Sequence, residues 1–196
     1  MGKIVAWHFT GKTLRYGSPT PPIGHTLKMD GEIILCERGF HASLHPFDAL
    51  LYAPGQFLHK VEMGGNILHQ NDKLVASERT ILQSIDATEL LCKASRLYAL
   101  DVIHLWNAPK VVQDFLKTGD EKLRDAALAA AWTAAWTDAR AAALAATLAA
   151  TSAAAWTAAR DASLAATRAA TRAASWTDAR AKQKEQFLSL VNEYFV

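Results

Sequence analysis

From residue 128 to residue 180 a large or basic side chain returns at nearly every fourth position. The series runs through Leu128, Trp132, Trp136, Arg140, Leu144 and Leu148 to Trp156, Arg160, Leu164, Arg168, Arg172, Trp176 and Arg180. Ala, Thr, Ser and Asp fill the positions between. A longer unit of about 20 residues overlies the tetrads, since Trp136-Thr-Asp-Ala-Arg140 returns as Trp156-Thr-Ala-Ala-Arg160 and Trp176-Thr-Asp-Ala-Arg180. Ala has the best helix propensity, so the run reads as helix. A four-residue step turns an α-helix through about 400°, so the large residues drift about 40° per repeat and no heptad seam can form.

One unbroken helix from residue 120 to 191 would be about 100 Å long, and a helix of that length needs partners. The drifting stripe matches the i±4 ridges that cross a neighbour at about −50°. Two arrangements use it: several chains crossing in a homo-oligomer, or the tail folding back into shorter helices capped by Thr137 or Asp178. The lack of Gly and Pro favours the first, with Trp132, Trp136, Leu144, Leu148, Trp156, Leu164 and Trp176 as the contact residues. An ice-binding face is disfavoured because Thr137, Thr147, Thr157, Thr167 and Thr177 turn to different sides. A four-residue β-solenoid is disfavoured by the Ala content.

All six prolines and all ten glycines lie at or before Gly119. The chain therefore divides on composition into a head, residues 1–119, and a helical tail, residues 120–196. Head strands are expected at residues 3–9 and 57–63 from alternation. A hairpin is expected to join residues 25–29 and 32–36 through Asp30-Gly31. Shorter strands follow at 39–43, 67–68, 74–77 and 80–82, with Gly64-Gly65 breaking the chain. Pro46 opens a two-turn helix over residues 46–53, and Pro54-Gly55 ends it. A longer helix starts at Asp86 with Glu89 in capping-box spacing, and another runs from Pro109 to a Gly119 cap. The fold class is α+β, a small β-rich domain followed by a long Ala-rich helical region.

A net charge of +2 gives no broad basic field, so a nucleic-acid partner is not expected. Cys36 and Cys92 have neither CxxC nor zinc-finger spacing, which suits two reduced thiols in a cytoplasmic protein and no metal site. No signal peptide is recognisable at the start, and position 6 is Ala, which rules out a myristoylation motif. Charged residues interrupt the Ala run too often for a membrane span.

Two head clusters carry groups able to bind a ligand. His8, Thr10, Arg15 and Tyr16 lie on and just after the first strand, and His41, Ser43 and His45 lie before the short helix, where strand ends and loops display such groups. The stretch from Gly39-Phe40-His41-Ala42-Ser43 through Pro46, Asp48-Ala49-Leu50, Tyr52, Gly55, Val61-Glu62, Gly65 and Asp72-Lys73 to Ala76-Ser77 resembles an uncharacterised domain of bacteriophage and prophage proteins, often followed by a repetitive tail. That resemblance implies a phage accessory protein in the bacterial cytoplasm. By strand order the head is also similar to ADP-ribosyltransferases, which implies NAD as cofactor with His8, Ser43 and Glu89 as the residues to test.

The preferred expectation is a binding protein without cofactor, multimerised by its tail. It would capture a nucleotide-like ligand or a host defence protein in a counter-defence role. The alternative is an ADP-ribosyltransferase-like enzyme.

Overall fold

A computed structural model describes residues 2–14, 17–135, 147, 148, 150, 161, 165 and 176–195. The chain groups into two compact units, Met1–Ala87 with Val191–Val196, and Thr88–Leu190. The compositional boundary at Gly119 falls inside the second.

The first unit is an antiparallel sheet. Strand β1 is Ile4–Thr10, β2 Thr26–Lys28, β3 Phe40–Ala42, β4 Phe57–His69 and β5 Leu74–Asp86. β4 and β5 form one long hairpin with β1 on the outer edge of β4, and both β2 and β3 pair along the far edge of β5. The residue after β3 turns the sheet back on itself. The Trp7 N–H donates to the Ser43 carbonyl at 2.8 Å and the Ser43 N–H to the Trp7 carbonyl at 2.9 Å. The outer edge of β1 is thereby met at one point, Trp7, by an isolated bridge. Inside the curl Ala6, Ala42, Val61, Met63, Leu74, Ala76 and Ile81 form the core, with Ile4, Phe40 and Ile67 packed on it. On the other face of β1, Trp7 meets Phe195 edge-on at 5.0 Å.

Several short strands expected from residues 57 to 82 are segments of the two long ones. Gly64-Gly65 makes a bulge and does not end β4, because the register shifts between Gly64 and Ile67 and pairing resumes. Gly65 sits at φ +70, and a Cβ there would lie 2.1 Å from Ser77 Oγ. That hydroxyl accepts the Asn66 N–H at 2.9 Å, so the group displaced by the bulge is satisfied. The hairpin expected at Asp30-Gly31 does not form. Residues 26–28 pair with β5, while Ile34 and Arg38 make only an isolated bridge around a turn. Helix α1 is Pro46–Leu50, shorter than two turns, and Asp86 ends β5 instead of opening a helix.

The second unit is helical. Helix α2 is Thr88–Val102, α3 Lys110–Thr118, α4 Arg124–Ala135 and α5 Trp176–Tyr194. Single 3-10 turns, Ile103–Leu105 and Glu121–Leu123, follow α2 and precede α4. Pro109 precedes α3, and Gly119 closes it in the left-handed region at φ 69. Leu90, Leu91, Tyr98, Val112, Phe115, Leu116 and Phe187 are buried.

A straight helix through the whole tail would carry Lys182 about 90 Å from Arg124. Instead α4 packs on α3. Lys182 of α5 reaches Asp101 of α2 at 2.6 Å, and the Tyr98 hydroxyl meets the Gln183 carbonyl at 3.4 Å. The described ends of the tail therefore return to one unit. Trp136, Leu144, Trp156, Leu164 and the Trp176 side chain lie outside the described residues. Among the other expected contact residues, Trp132 is 55% exposed and Leu148 half-buried. No helix of the described residues is long and apolar enough to cross a membrane.

Candidate functional site

Directly opposed residues of β1 and β4 share one face of the sheet. The row runs Ile4 with Met63, Ala6 with Val61, then His8 with His59, so the lining changes from apolar to polar at one step. The two imidazoles lie nearly parallel with ring centres 6.4 Å apart. Next to them Thr10, 2% exposed, has its hydroxyl 2.9 Å from the Gly11 carbonyl and 2.8 Å from His59 Nε2, with one proton to give to either. His59 Nδ1 is buried with no hydrogen-bond partner among the described residues.

Arg79 of β5 enters the same polar group and is 5% exposed. One terminal nitrogen, Nη1, donates to the His41 carbonyl at 3.2 Å, and the guanidinium lies 5.4 Å from the centre of the Phe40 ring. Its Nε–H is buried with no acceptor. Among the described residues Arg79 takes part in no ion pair.

The electrostatics follow from that. Burial pulls Arg79 down to about 10, still charged at neutral pH. Burial first, and Arg79 second, bring His59 from 6.5 to about 4. Burial also drives His8 well below 6.5, with Arg79, His59 and His41 adding to the shift. His41 is lowered mainly by burial, against its bond to the Gly39 carbonyl. At neutral pH the group holds three neutral imidazoles and one cation, with no carboxylate paired to it among the described residues. His8 and Phe40 are half-buried, so the group meets solvent at their side chains.

The residues expected to bind ligand separate into distinct roles. His8 and Thr10 belong to the polar group. His41 contributes its carbonyl, while its ring fixes a turn: Nε2 accepts the Cys36 N–H at 2.9 Å and Nδ1 faces the Gly39 carbonyl at 3.1 Å. That turn holds Cys36 at φ 66. Ser43 closes the sheet by its main chain and is buried. His45 caps α1, its Nδ1 accepting the Phe47 N–H at 3.1 Å. Arg15 and Tyr16 lie outside the described residues. Glu89 is exposed in the first turn of α2, in the second unit, where it favours the helix N-terminus. No group of three or more His, Cys, Asp or Glu able to hold a metal occurs among the described residues.

Arg79 and the role of His59 were not readable in advance. Ser77-Glu78-Arg79 looks like a polar break between two apolar runs, and only the long β5 turns Arg79 inward. Two surface hollows, of about 550 and 260 Å3, are lined by other residues. The smaller is flanked by the pairs Lys3–Glu62 and Lys28–Glu78, at 2.6 and 2.9 Å, which cancel each other's charge and offer an ion little net attraction.

A family model described as a domain of unknown function (DUF7666) matches residues 4–93, a span containing the whole sheet and every member of the polar group. No curated protein and no solved structure matches the chain.

Proposed function

We propose that the first unit captures a small, anionic, nucleotide-like ligand, and that the chain is a bacteriophage accessory protein acting in the cytoplasm of the infected bacterium. The observation that carries this reading is Arg79, a buried guanidinium that makes no ion pair among the described residues. Holding an unpaired charge out of water costs several kcal/mol, and an anionic ligand offsets that cost. A flat protein surface cannot reach a side chain so deep, so a small molecule accounts for it better than a host protein does. The phage setting rests on the resemblance carried by Gly39-Phe40-His41-Ala42-Ser43 and the residues after it. In that setting removal of a host immune signal is the fitting role, and a tail that multiplies heads raises avidity without new contacts.

Titration of the full chain with labelled mono-, di- and cyclic nucleotides and with NAD tests the reading. Saturable binding with the ligand recovered intact supports it. Absence of binding across the panel overturns it. Cleavage of NAD that is lost in His8→Ala and Ser43→Ala would establish the ADP-ribosyltransferase-like alternative instead.

A further inference from the structure

β4 is longer than the strand beside it. Pairing with β1 reaches only as far as Met63, opposite Ile4, whereas β4 runs on to His69. Among the described residues no strand pairs with β4 beyond Met63 on the β1 side. The hairpin decides which main-chain groups turn outward there. The Gln70 N–H donates to the Lys73 carbonyl at 2.8 Å, and Leu68 stands opposite Val75. In an antiparallel ladder alternate residues exchange both hydrogen bonds with the neighbouring strand, so Leu68 and Gln70 face β5. Ile67 and His69 therefore point their N–H and C=O groups to the edge that β1 leaves open. The larger surface hollow, about 550 Å3, lies on this edge: Gly65, Asn66, Ile67 and Leu68 line it together with Glu32 and Ile33. Ile33 is buried, Leu68 is 43% exposed, and the exposed Glu32 makes no ion pair among the described residues.

We infer that this edge docks an extended peptide of a partner protein, which adds a strand along residues 67–69 of β4, sets an apolar side chain in the hollow and brings a Lys or Arg to Glu32. The main chain supplies the first argument. Outward N–H and C=O groups in alternation are matched by another extended backbone, and strand addition takes its affinity from those bonds and its specificity from side-chain pockets. Residues 65–70 carry no Lys, Arg, Asp, Glu or Pro, the side chains that commonly guard an edge. Charge supplies the second argument. A second copy of this chain, pairing edge to edge, would bring another Glu32 carboxylate and no Lys or Arg within residues 65–70. A basic extended segment is the better complement. The surface shares no lining residue with the Arg79 group and stands whether or not that group takes an anion.

The test selects a displayed library of random seven-residue peptides on the full chain, with counter-selection on His69→Pro. Proline there removes an outward N–H and leaves the bonds to β5 in place. Selected peptides are expected to alternate apolar residues and to carry a Lys or Arg. Amide exchange of the 15N-labelled chain reads the pairing itself. In the free chain the Ile67 and His69 amides should exchange quickly while Leu68 and Gln70 are protected, and saturation with the selected peptide, synthesised alone, should slow Ile67 and His69 by at least about tenfold. Glu32→Gln should weaken the peptide about two- to fivefold. Leu68→Ser, at an exposed position in the hollow, should weaken it about fivefold and gives a comparison that does not depend on how the proline variant folds. A library with nothing enriched, peptides that bind Leu68→Ser and Glu32→Gln as tightly as the wild type, or Ile67 and His69 amides unmoved at saturation overturn the inference. Protection of those two amides that grows with protein concentration without peptide also overturns it, and assigns the edge to a second copy of the chain.

Discussion

Gly55 lies back to back with Gly11: a Cβ on Gly55 would stand 2.6 Å from Gly11 Cα and 2.9 Å from the Thr10 carbonyl. The obstacle is main chain, which cannot swing aside as a long side chain can. The approach clamps the end of β1, where Thr10 orients His59, to the turn that precedes β4. Gly55→Ala is expected to cost about 2–3 kcal/mol as an overpacked contact, read as a lower midpoint in denaturant unfolding. It should also disturb His59, visible as a changed Nε2 resonance. A midpoint equal to that of the wild type would show that the two glycines can part freely.

Acid should weaken the fold through its histidines. The folded pKa of His59, about 4, lies below the ordinary 6.5, so the unfolded chain binds the proton more readily. The stabilisation is complete above pH 6.5, falls between 6.5 and about 4, and is constant below; for His59 it amounts to about 3 kcal/mol. His8 is shifted in the same direction and adds to the loss. Carboxylates titrate near the lower end of this window, so the informative quantity is the difference between wild type and His59→Phe across it. The wild type should show the steeper loss of stability from pH 6.5 to 4, and parallel curves would contradict the assignment.

In the second unit the apolar contacts of α5 outweigh its ion pair. Lys182 is 59% exposed at its pair with Asp101, and a pair so open to solvent contributes about 1 kcal/mol or less. Phe187 is fully buried, and its truncation to Ala should cost about 3–5 kcal/mol. Tyr98→Phe, losing a long hydrogen bond to the Gln183 carbonyl, belongs near 1 kcal/mol. Chemical denaturation of the three variants, Asp101→Ala, Tyr98→Phe and Phe187→Ala, checks the ranking. A larger loss for Asp101→Ala than for Phe187→Ala would reverse it.

What the sequence makes legible follows from how local the determining physics is. Pro109 and Gly119 bracket α3 because a fixed φ and a left-handed cap act within a few residues. Alternation places β1 for the same reason. β4 and β5 run through points that look like breaks, Gly64-Gly65 and Ser77-Glu78-Arg79, because a bulge and a distant partner strand restore the pairing there. The site follows the same division. His8 and Thr10 lie on a strand that local pattern identifies, whereas Arg79 turns inward only once β5 has its full length. The His41 and His45 rings resemble ligand-binding groups in the sequence, yet they are engaged by the N–H groups of Cys36 and Phe47, neighbours that only the folded turns bring to them.

The tail offers a last prediction. Trp132 lies on α4 with more than half of its surface in water, an unusual place for the largest apolar side chain in a protein. If tetrad residues pack between chains, burying such a ring stabilises association by about 1.5–3 kcal/mol per site. Light scattering of the full chain should then give a mass above that of one chain. Trp132→Ala should shift assembly toward the monomer, and joint replacement of Trp136, Trp156 and Trp176 by Ala should shift it further. Because α4 and α5 both return to the second unit, a strictly monomeric wild type is the physically coherent opposite result. It would assign the tetrads to packing within one chain and remove the avidity role from the proposed function.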